Sequence, residues 1–135
     1  MRLTFAALGV LALAALAGCA DDAPKSLRLS GAVTLDGQPI PYGEVLFTPD
    51  AALKNSWPQG IAPIRDGRYD TGAAGGKGVA GGPTVVRVNG MSGPGGKTLC
   101  EYEMPVDLPR ESGTRDLDVP KNGAAKPNPK APTEI

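Results

Sequence analysis

Residues 27–50 read LRLSGAVTLDGQPIPYGEVLFTPD, and the fold prediction starts from this stretch. Its first half alternates apolar and polar side chains and ends at the dipeptide Asp36-Gly37. The apolar positions that share one face are Leu27, Leu29, Val33 and Leu35. Alternation with a period of two is typical of a half-buried strand, and Asp-Gly is typical of a tight hairpin turn. The second half, GEVLFTP, predicts another strand with Val45 and Phe47 on one face.

The same kind of pattern recurs further along the chain. IAPIRDGRYDT predicts two short strands around an Asp66-Gly67 hairpin, and PTVVRVNG predicts a β-branched strand that ends at Asn89-Gly90. TRDLDVP closes the domain with Leu117 and Val119 on one face. The 19 glycines and 14 prolines favour turns, and no helical stripe follows the apolar amino terminus. We therefore predict an all-β fold, a small antiparallel β-sandwich over residues 27–119.

The composition excludes several classes of function. The 14 basic residues balance the 14 acidic ones, and one tryptophan, three tyrosines and two phenylalanines offer few stacking platforms, which argues against a nucleic-acid partner. The absence of histidine excludes a Ser-His-Asp triad, an imidazole base and a histidine metal ligand. Two cysteines are too few for a cysteine-only zinc site. The sequence therefore predicts a protein that is not an enzyme and that has no metal and no cofactor.

Two features of the domain leave alternatives open. Asp116 and Asp118 share one strand face, so they either contribute to a calcium site or form a solvated strand edge. Trp57 lies in the loop LKNSWPQG, where it either offers a stacking platform to a sugar or folds over the end of the core. Trp57 is therefore the candidate ligand contact.

Two glycine clusters resemble nucleotide-binding loops. Residues 76–81 satisfy the pattern G-x-G-x-x-G, and GMSGPGGKT, residues 90–98, resembles a P-loop with Met91 where a glycine belongs. A phosphate-binding loop needs a helix to follow it, because the helix amino terminus meets the phosphate. The first cluster leads through Pro83 into a valine-rich strand, and Pro105 stops a helix after the second. Neither cluster therefore predicts a nucleotide site.

The amino terminus has the three-part layout of an export signal. Met1-Arg2 is a short positive start, Leu3 to Ala17 is apolar, and small residues follow. The apolar run is shorter than the roughly 20 residues that a membrane-spanning helix needs. Leu16-Ala17-Gly18-Cys19 resembles a bacterial lipobox, which implies a signal-peptide helix over residues 1–18 and a lipidated Cys19. The alternative is an ordinary signal and a disulfide between Cys19 and Cys100.

The segments that flank the domain are polar. Residues 19–26 predict a lipid anchor and short tether, and residues 120–135, PKNGAAKPNPKAPTEI, predict a disordered tail because they offer little apolar surface to bury. Two or three acyl chains hold a protein firmly at a membrane without a transmembrane helix. Ala20 follows the cysteine, where some bacteria place an aspartate in proteins retained at the inner membrane, so the outer membrane is favoured.

The domain resembles a known family in several places. SGAVTLDGQPIPYGEVLFTPD, DGRYDT, GGKGVAGGPTVVRV and RDLDVP look like the short exported lipoproteins of bacteria with a transthyretin-like, or carboxypeptidase regulatory-like, domain. The resemblance covers most of residues 30–120 and implies a β-sandwich that acts as an accessory or binding module. Hydroxyisourate hydrolase is similar in fold but depends on histidines and a Tyr-Arg-Gly-Ser terminus. This chain has no histidine and ends in APTEI, so that activity is not implied.

These observations predict a non-enzymatic protein that is exported and held at the outer membrane through lipidated Cys19. Its β-sandwich presents an interaction surface, on the periplasmic or cell-surface side, to a protein partner of the cell envelope. The alternative is a module that binds envelope glycan through Trp57 and the neighbouring loops.

Overall fold

The computed structural model describes residues 26–124. This part of the chain contains nine strands, and their bounds are β1 Leu29–Leu35, β2 Gln38–Pro39, β3 Tyr42–Pro49, β4 Gly60–Arg65, β5 Arg68–Asp70, β6 Gly82–Met91, β7 Thr98–Leu108, β8 Gly113–Thr114 and β9 Leu117–Val119. Two short 3-10 turns, η1 Ala51–Leu53 and η2 Lys121–Gly123, complete the regular structure. The prediction of an all-β fold is confirmed.

The strands form one curled and mostly antiparallel sheet in the order β2-β1-β5-β4-β3-β6-β7. The short strands β8 and β9 pair with β1 in parallel orientation. After β9 the chain crosses toward the other edge of the sheet, where Ala124 forms a bridge with Cys100 of β7. The carboxyl end of the described chain therefore links the two edges of the sheet.

Both predicted Asp-Gly hairpins are present. Asp36 and Gly37 have φ angles of 50° and 77°, and Asp66 and Gly67 have φ angles of 52° and 76°. Two consecutive positive φ angles define the turn whose twist matches that of antiparallel strands, and Asp-Gly adopts it at low cost. The two hairpins also contact each other, since the Gly67 N–H donates to the carbonyl oxygen of Ile40 at 3.1 Å.

The core lies on the inner face of the curled sheet. Every second residue of β6 is buried, as are alternate residues of β1 from Leu29 to Val33 and the pair Val45 and Phe47 of β3. This is the burial pattern that a period of two produces. Of the residues predicted to face inward, Leu29 and Val33, Val45 and Phe47, and Leu117 and Val119 are buried. Leu27 and Leu35, predicted on the same face as Leu29, are half-buried and pack against the core. Each large side chain buried in this way contributes about 1.5–3 kcal/mol of hydrophobic free energy. These side chains therefore stabilise the curled sheet.

Tyr69 joins the core to the segment that precedes β9. Its ring packs against Phe47 with centroids 5.8 Å apart, and its hydroxyl donates a hydrogen bond to the Arg115 carbonyl oxygen. Burial raises the pKa of Tyr69, so the hydroxyl stays a donor at any ordinary pH. Gly31 permits this arrangement, because a Cβ at residue 31 would overlap the Arg115 carbonyl. The hydrogen bond therefore holds the segment across β1 and positions β9 for parallel pairing.

Two strand predictions differ from the structure. β7 had no predicted counterpart, and β6 continues past the expected end at Asn89-Gly90 to Met91, with a bulge between Gly90 and Met91. β7 is an edge strand in which the apolar residues Cys100, Tyr102, Met104, Val106 and Leu108 alternate with Glu101, Glu103, Pro105 and Asp107. The period-two signal was therefore present in the sequence and was missed. Pro105 is compatible with this position, since a proline is tolerated at the edge of a sheet.

Regular structure continues past Val119, the predicted end of the domain. The turn η2 follows, and Ala124 forms a bridge with Cys100. Gly123 is buried at a point where a side chain would overlap Val119 and Tyr102. The composition of PKNGA indicated solvation, and four of the five residues are exposed, but the buried Gly123 and the bridge of Ala124 connect this segment to the sheet. The predicted signal-peptide helix, Cys19, most of the tether and the tail after Ala124 lie outside the described residues.

We expect Tyr69→Phe to lower the free energy of unfolding by about 1–3 kcal/mol, because the substitution leaves the Arg115 carbonyl without its donor. Urea unfolding of the full chain measures the change. Tyr42→Phe is the matched control, since Tyr42 lies on the outer face and is half-exposed, and we expect a change below about 0.5 kcal/mol. Equal effects of the two substitutions would contradict a structural role for the Tyr69 hydroxyl.

Candidate functional site

Trp57, the predicted ligand contact, lies in the loop between η1 and β4 and is half-buried. Asn55 holds this loop against the start of β6, since its side-chain amide donates to the carbonyl oxygens of Gly81 and Pro83 at 3.1 and 2.6 Å. Asp50 fixes the other side of the loop by accepting a hydrogen bond from the Ala52 N–H at 3.0 Å. The loop is therefore a defined element, and the sugar contact at Trp57 stays a prediction.

An apolar groove of about 340 Å³ lies beside this loop. We call it the Leu53 groove, and its lining residues are Asp50, Leu53, Pro83, Thr84, Pro105, Val106 and Asp107. Leu53 is 64% exposed and is the one large apolar side chain that residues 26–124 leave exposed. Two acidic residues, Asp50 and Asp107, also line the groove. Its surface therefore combines apolar contact area with negative charge.

The Leu53 groove continues into an acidic strand edge. Glu101, Glu103 and Asp107 are exposed on β7, and Arg87 of β6 lies 3.7 Å from Glu101 and 3.4 Å from Glu103. Such exposed ion pairs contribute at most about 1 kcal/mol to stability. Their arrangement matters more for association, because charged residues and a proline on an edge strand discourage pairing with a second identical edge. Three acidic residues against one arginine leave this edge negative.

Asp116 and Asp118 do not form a metal site with other residues of the described domain. Both are exposed, yet Asp116 accepts a hydrogen bond from the Ala32 N–H at 2.9 Å. Asp118 accepts from the Thr34 hydroxyl at 2.6 Å and from the Gly37 N–H at 3.4 Å. Residues 26–124 contain no group of three or more metal-ligating side chains. The two carboxylates therefore attach the β9 segment to β1, a role that the sequence analysis missed.

Cys100 is fully buried on β7 beside Gly90. Burial raises the pKa of its thiol, so the nucleophilic thiolate is disfavoured. Cys100 is therefore a small buried apolar group of the core and not an available thiol. Cys19, the predicted lipidation site and the alternative disulfide partner, lies outside the described residues.

The two glycine clusters lead into strands. In the first cluster, Lys77 forms an isolated β-bridge with Ile61, and the buried Val79 forms one with Leu27. Strand β6 begins directly after this cluster. The second forms the hairpin loop between β6 and β7, in which Ser92 and Lys97 exchange hydrogen bonds of 2.9 Å. Each cluster therefore connects strands in a place where a phosphate-binding loop would begin a helix.

A second groove lies at the β4–β5 hairpin, and we call it the arginine groove. Its volume is about 290 Å³, and its lining residues are Ser30, Pro63, Arg65, Arg68, Tyr69, Asp70 and Ala73. Arg65 and Arg68 are direct cross-strand partners. The pair was not predicted, although RDGR carries the signal for it, because a two-residue turn places its flanking residues opposite each other.

Asp70, at one end of the arginine groove, is bound by Arg28. The Arg28 guanidinium donates to both carboxylate oxygens, at 3.0 and 2.6 Å, and the Gly72 N–H donates at 2.8 Å. These hydrogen bonds, first that of Arg28, lower the pKa of Asp70 to about 2. Asp70 therefore stays ionised, and its charge is already partnered.

Comparison with known proteins returns no match to a protein-family model, a curated protein or a solved structure. Within residues 26–124 no helix has the length and apolar character needed to cross a membrane.

The depressed pKa of Asp70 predicts acid sensitivity. The unfolded carboxyl has a pKa near 3.8 and the folded one about 2, so its contribution to stability is present above pH 4 and is lost as the pH falls toward 2. We expect Asp70→Asn to be less stable than the native chain at pH 6, with the difference shrinking between pH 4 and 2.

Urea unfolding at several pH values tests this expectation. Asp107→Asn is the control for removal of an exposed carboxylate. A difference between the native chain and Asp70→Asn that is the same at pH 6 and pH 2 would contradict the assignment.

Proposed function

We propose that this protein is a lipid-anchored, non-enzymatic component of the bacterial cell envelope that presents its β domain to a protein partner. The observation that carries the proposal is Leu16-Ala17-Gly18-Cys19, a lipobox-like sequence directly after an apolar run of export-signal length. The described domain begins at Ser26, seven residues after Cys19. An acylated Cys19 would therefore hold the domain close to the membrane surface.

The length of the tether limits where the domain acts. Seven residues span at most about 24 Å when fully extended. Two or three acyl chains bind a bilayer much more firmly than one, so an anchor of this kind needs no membrane-spanning helix. Ala20 after the cysteine favours the outer membrane.

The domain is proposed to be a transthyretin-like β-sandwich. The Asp-Gly hairpins and the inward faces of β1, β3 and β6 support this interpretation, because they match the strand and turn order of the carboxypeptidase regulatory-like pattern. Domains of this kind serve as binding or accessory modules, and their function depends on the surface they present.

The Leu53 groove is the surface that best fits a protein partner. It exposes an apolar side chain next to Asp50 and Asp107, and the acidic edge of β7 continues from it. A partner segment with one apolar side chain flanked by lysine or arginine complements both properties. Desolvation of Leu53 supplies affinity, while the charges supply orientation.

The anchor is tested by mass spectrometry of the mature amino terminus and by fractionation of the native chain beside Cys19→Ala. We expect a diacylated or triacylated Cys19 in the membrane fraction and an unmodified, uncleaved Cys19→Ala chain. An unmodified Cys19 in the native protein, or one bonded to Cys100, would overturn the anchor and indicate a secreted soluble domain.

The docking surface is tested by in-cell cross-linking with mapping of the linked residues. We expect the native chain to give one reproducible protein contact that maps to the Leu53 groove, and Leu53→Ser to reduce its capture about tenfold, since 1.4 kcal/mol of lost burial corresponds to that factor. Ala52→Ser is the matched control, because Ala52 is exposed in the same turn. Equal capture by all three chains would overturn the assignment of this surface.

Glycan binding is the alternative function, and the position of the half-buried Trp57 in a loop held by Asn55 favours it. Retention on cell-wall polysaccharide distinguishes the two functions. Loss of retention in Trp57→Ala, together with no effect of Leu53→Ser, would favour the glycan module over the protein-binding one.

A further inference from the structure

The arginine groove contains two facing cations. Arg65 is the last residue of β4, Arg68 is the first residue of β5, and the two-residue turn Asp66-Gly67 sets them directly opposite each other. Cβ atoms in such cross-strand pairs lie about 4.5–5.5 Å apart, and like charges in this position destabilise a sheet. Both side chains are exposed, so packing of the core does not require an arginine at either position.

No acidic side chain of residues 26–124 forms an ion pair with either arginine. The ion pairs in this part of the chain are those of Arg28 with Asp70 and of Arg87 with Glu101 and Glu103. Asp70 lines the same groove, but Arg28 and the Gly72 N–H already occupy its carboxylate. The guanidinium groups of Arg65 and Arg68 are therefore available to an external anion.

We propose that the arginine groove binds a phosphate group. Two guanidinium groups provide two positive charges and two planar sets of N–H donors, which match a tetrahedral oxyanion with several acceptor oxygens. The Ser30 side chain lines the same groove and is a further hydroxyl donor, while Pro63 and Ala73 add apolar lining. A groove of about 290 Å³ accommodates a phosphate and part of the group that carries it.

The phosphate has two possible sources, an anionic lipid headgroup and a soluble phosphate-bearing molecule. Ser30 is four residues after Ser26, so one rim of the groove lies within about 14 Å of the point where the chain enters the domain. If Cys19 is acylated, headgroups are therefore within reach. Only the lipid source rests on the proposed function, because phosphate binding by the two arginines does not require the anchor.

The site is tested with the full chain in nonionic detergent micelles. Each arginine is modified with hydroxyphenylglyoxal, and mass spectrometry measures the modification rate while inorganic phosphate is added. We expect saturable protection of Arg65 and Arg68, about threefold at a phosphate concentration of twice the dissociation constant, and no protection of the exposed Arg110. Protection that sodium chloride reproduces at equal ionic strength would overturn the proposal.

Variants make the test specific to the pair. We expect Arg65→Gln to remove the protection of Arg68, Arg68→Gln to remove that of Arg65, and Arg110→Gln to leave both protected. Each of the first two variants removes a like-charge contact, so its urea midpoint should equal or exceed that of the native chain. Lost protection then reflects lost binding and not unfolding, whereas full protection in either single variant would overturn the paired site.

A second arm identifies the source of the phosphate. The full chain is placed in nanodiscs of phosphatidylcholine alone or with phosphatidylglycerol, without free phosphate. Protection by phosphatidylglycerol supports a lipid headgroup as the ligand, and protection by free phosphate alone supports a soluble source. Absence of protection in both arms overturns the phosphate site. A failed anchor would appear in the mass of Cys19 and would leave the micelle result unchanged, so the two proposals fail separately.

Discussion

The left-handed backbone at Asp66 and Gly67 fixes which residues of β4 and β5 face each other, and the rest of the sheet depends on that register. A slip of β5 by one residue against β4 would turn Tyr69 outward and Arg68 inward, at a cost of one buried charge and one lost core side chain. The same turn therefore creates the core and the arginine groove. The register that buries the inner-face side chains also determines which charged residues lie opposite each other on the outer face.

Polar groups that resemble functional residues mostly serve the closure of the sheet. The Tyr69 hydroxyl binds the Arg115 carbonyl, and Asp116 and Asp118 accept hydrogen bonds from β1. Parallel pairing of β9 with β1 joins residues far apart in sequence, and closing the long loop between them costs conformational entropy. Interactions beyond local strand propensity must offset that cost. These side chains thus explain how a three-residue strand keeps its place beside β1.

The two grooves differ in chemistry. The arginine groove presents two cations that have no ion-pair partner within residues 26–124, whereas the Leu53 groove presents an apolar side chain beside an acidic edge. An anchor would confine the domain to a thin layer at the membrane, where the effective concentration of a neighbouring ligand is high and modest affinities suffice.

The sequence by itself determined the strand and turn pattern of the domain, because period-two burial and Asp-Gly turns act over a few residues. It also carried the lipobox-like segment at Cys19, a local signal that needs no folded context. Only the tertiary structure decided that Thr98–Leu108 is an edge strand, that Cys100 is buried, that Ala124 joins the sheet edges and that Arg28 occupies Asp70. Those features depend on contacts between residues that lie far apart in the sequence, and local sequence patterns do not specify such contacts.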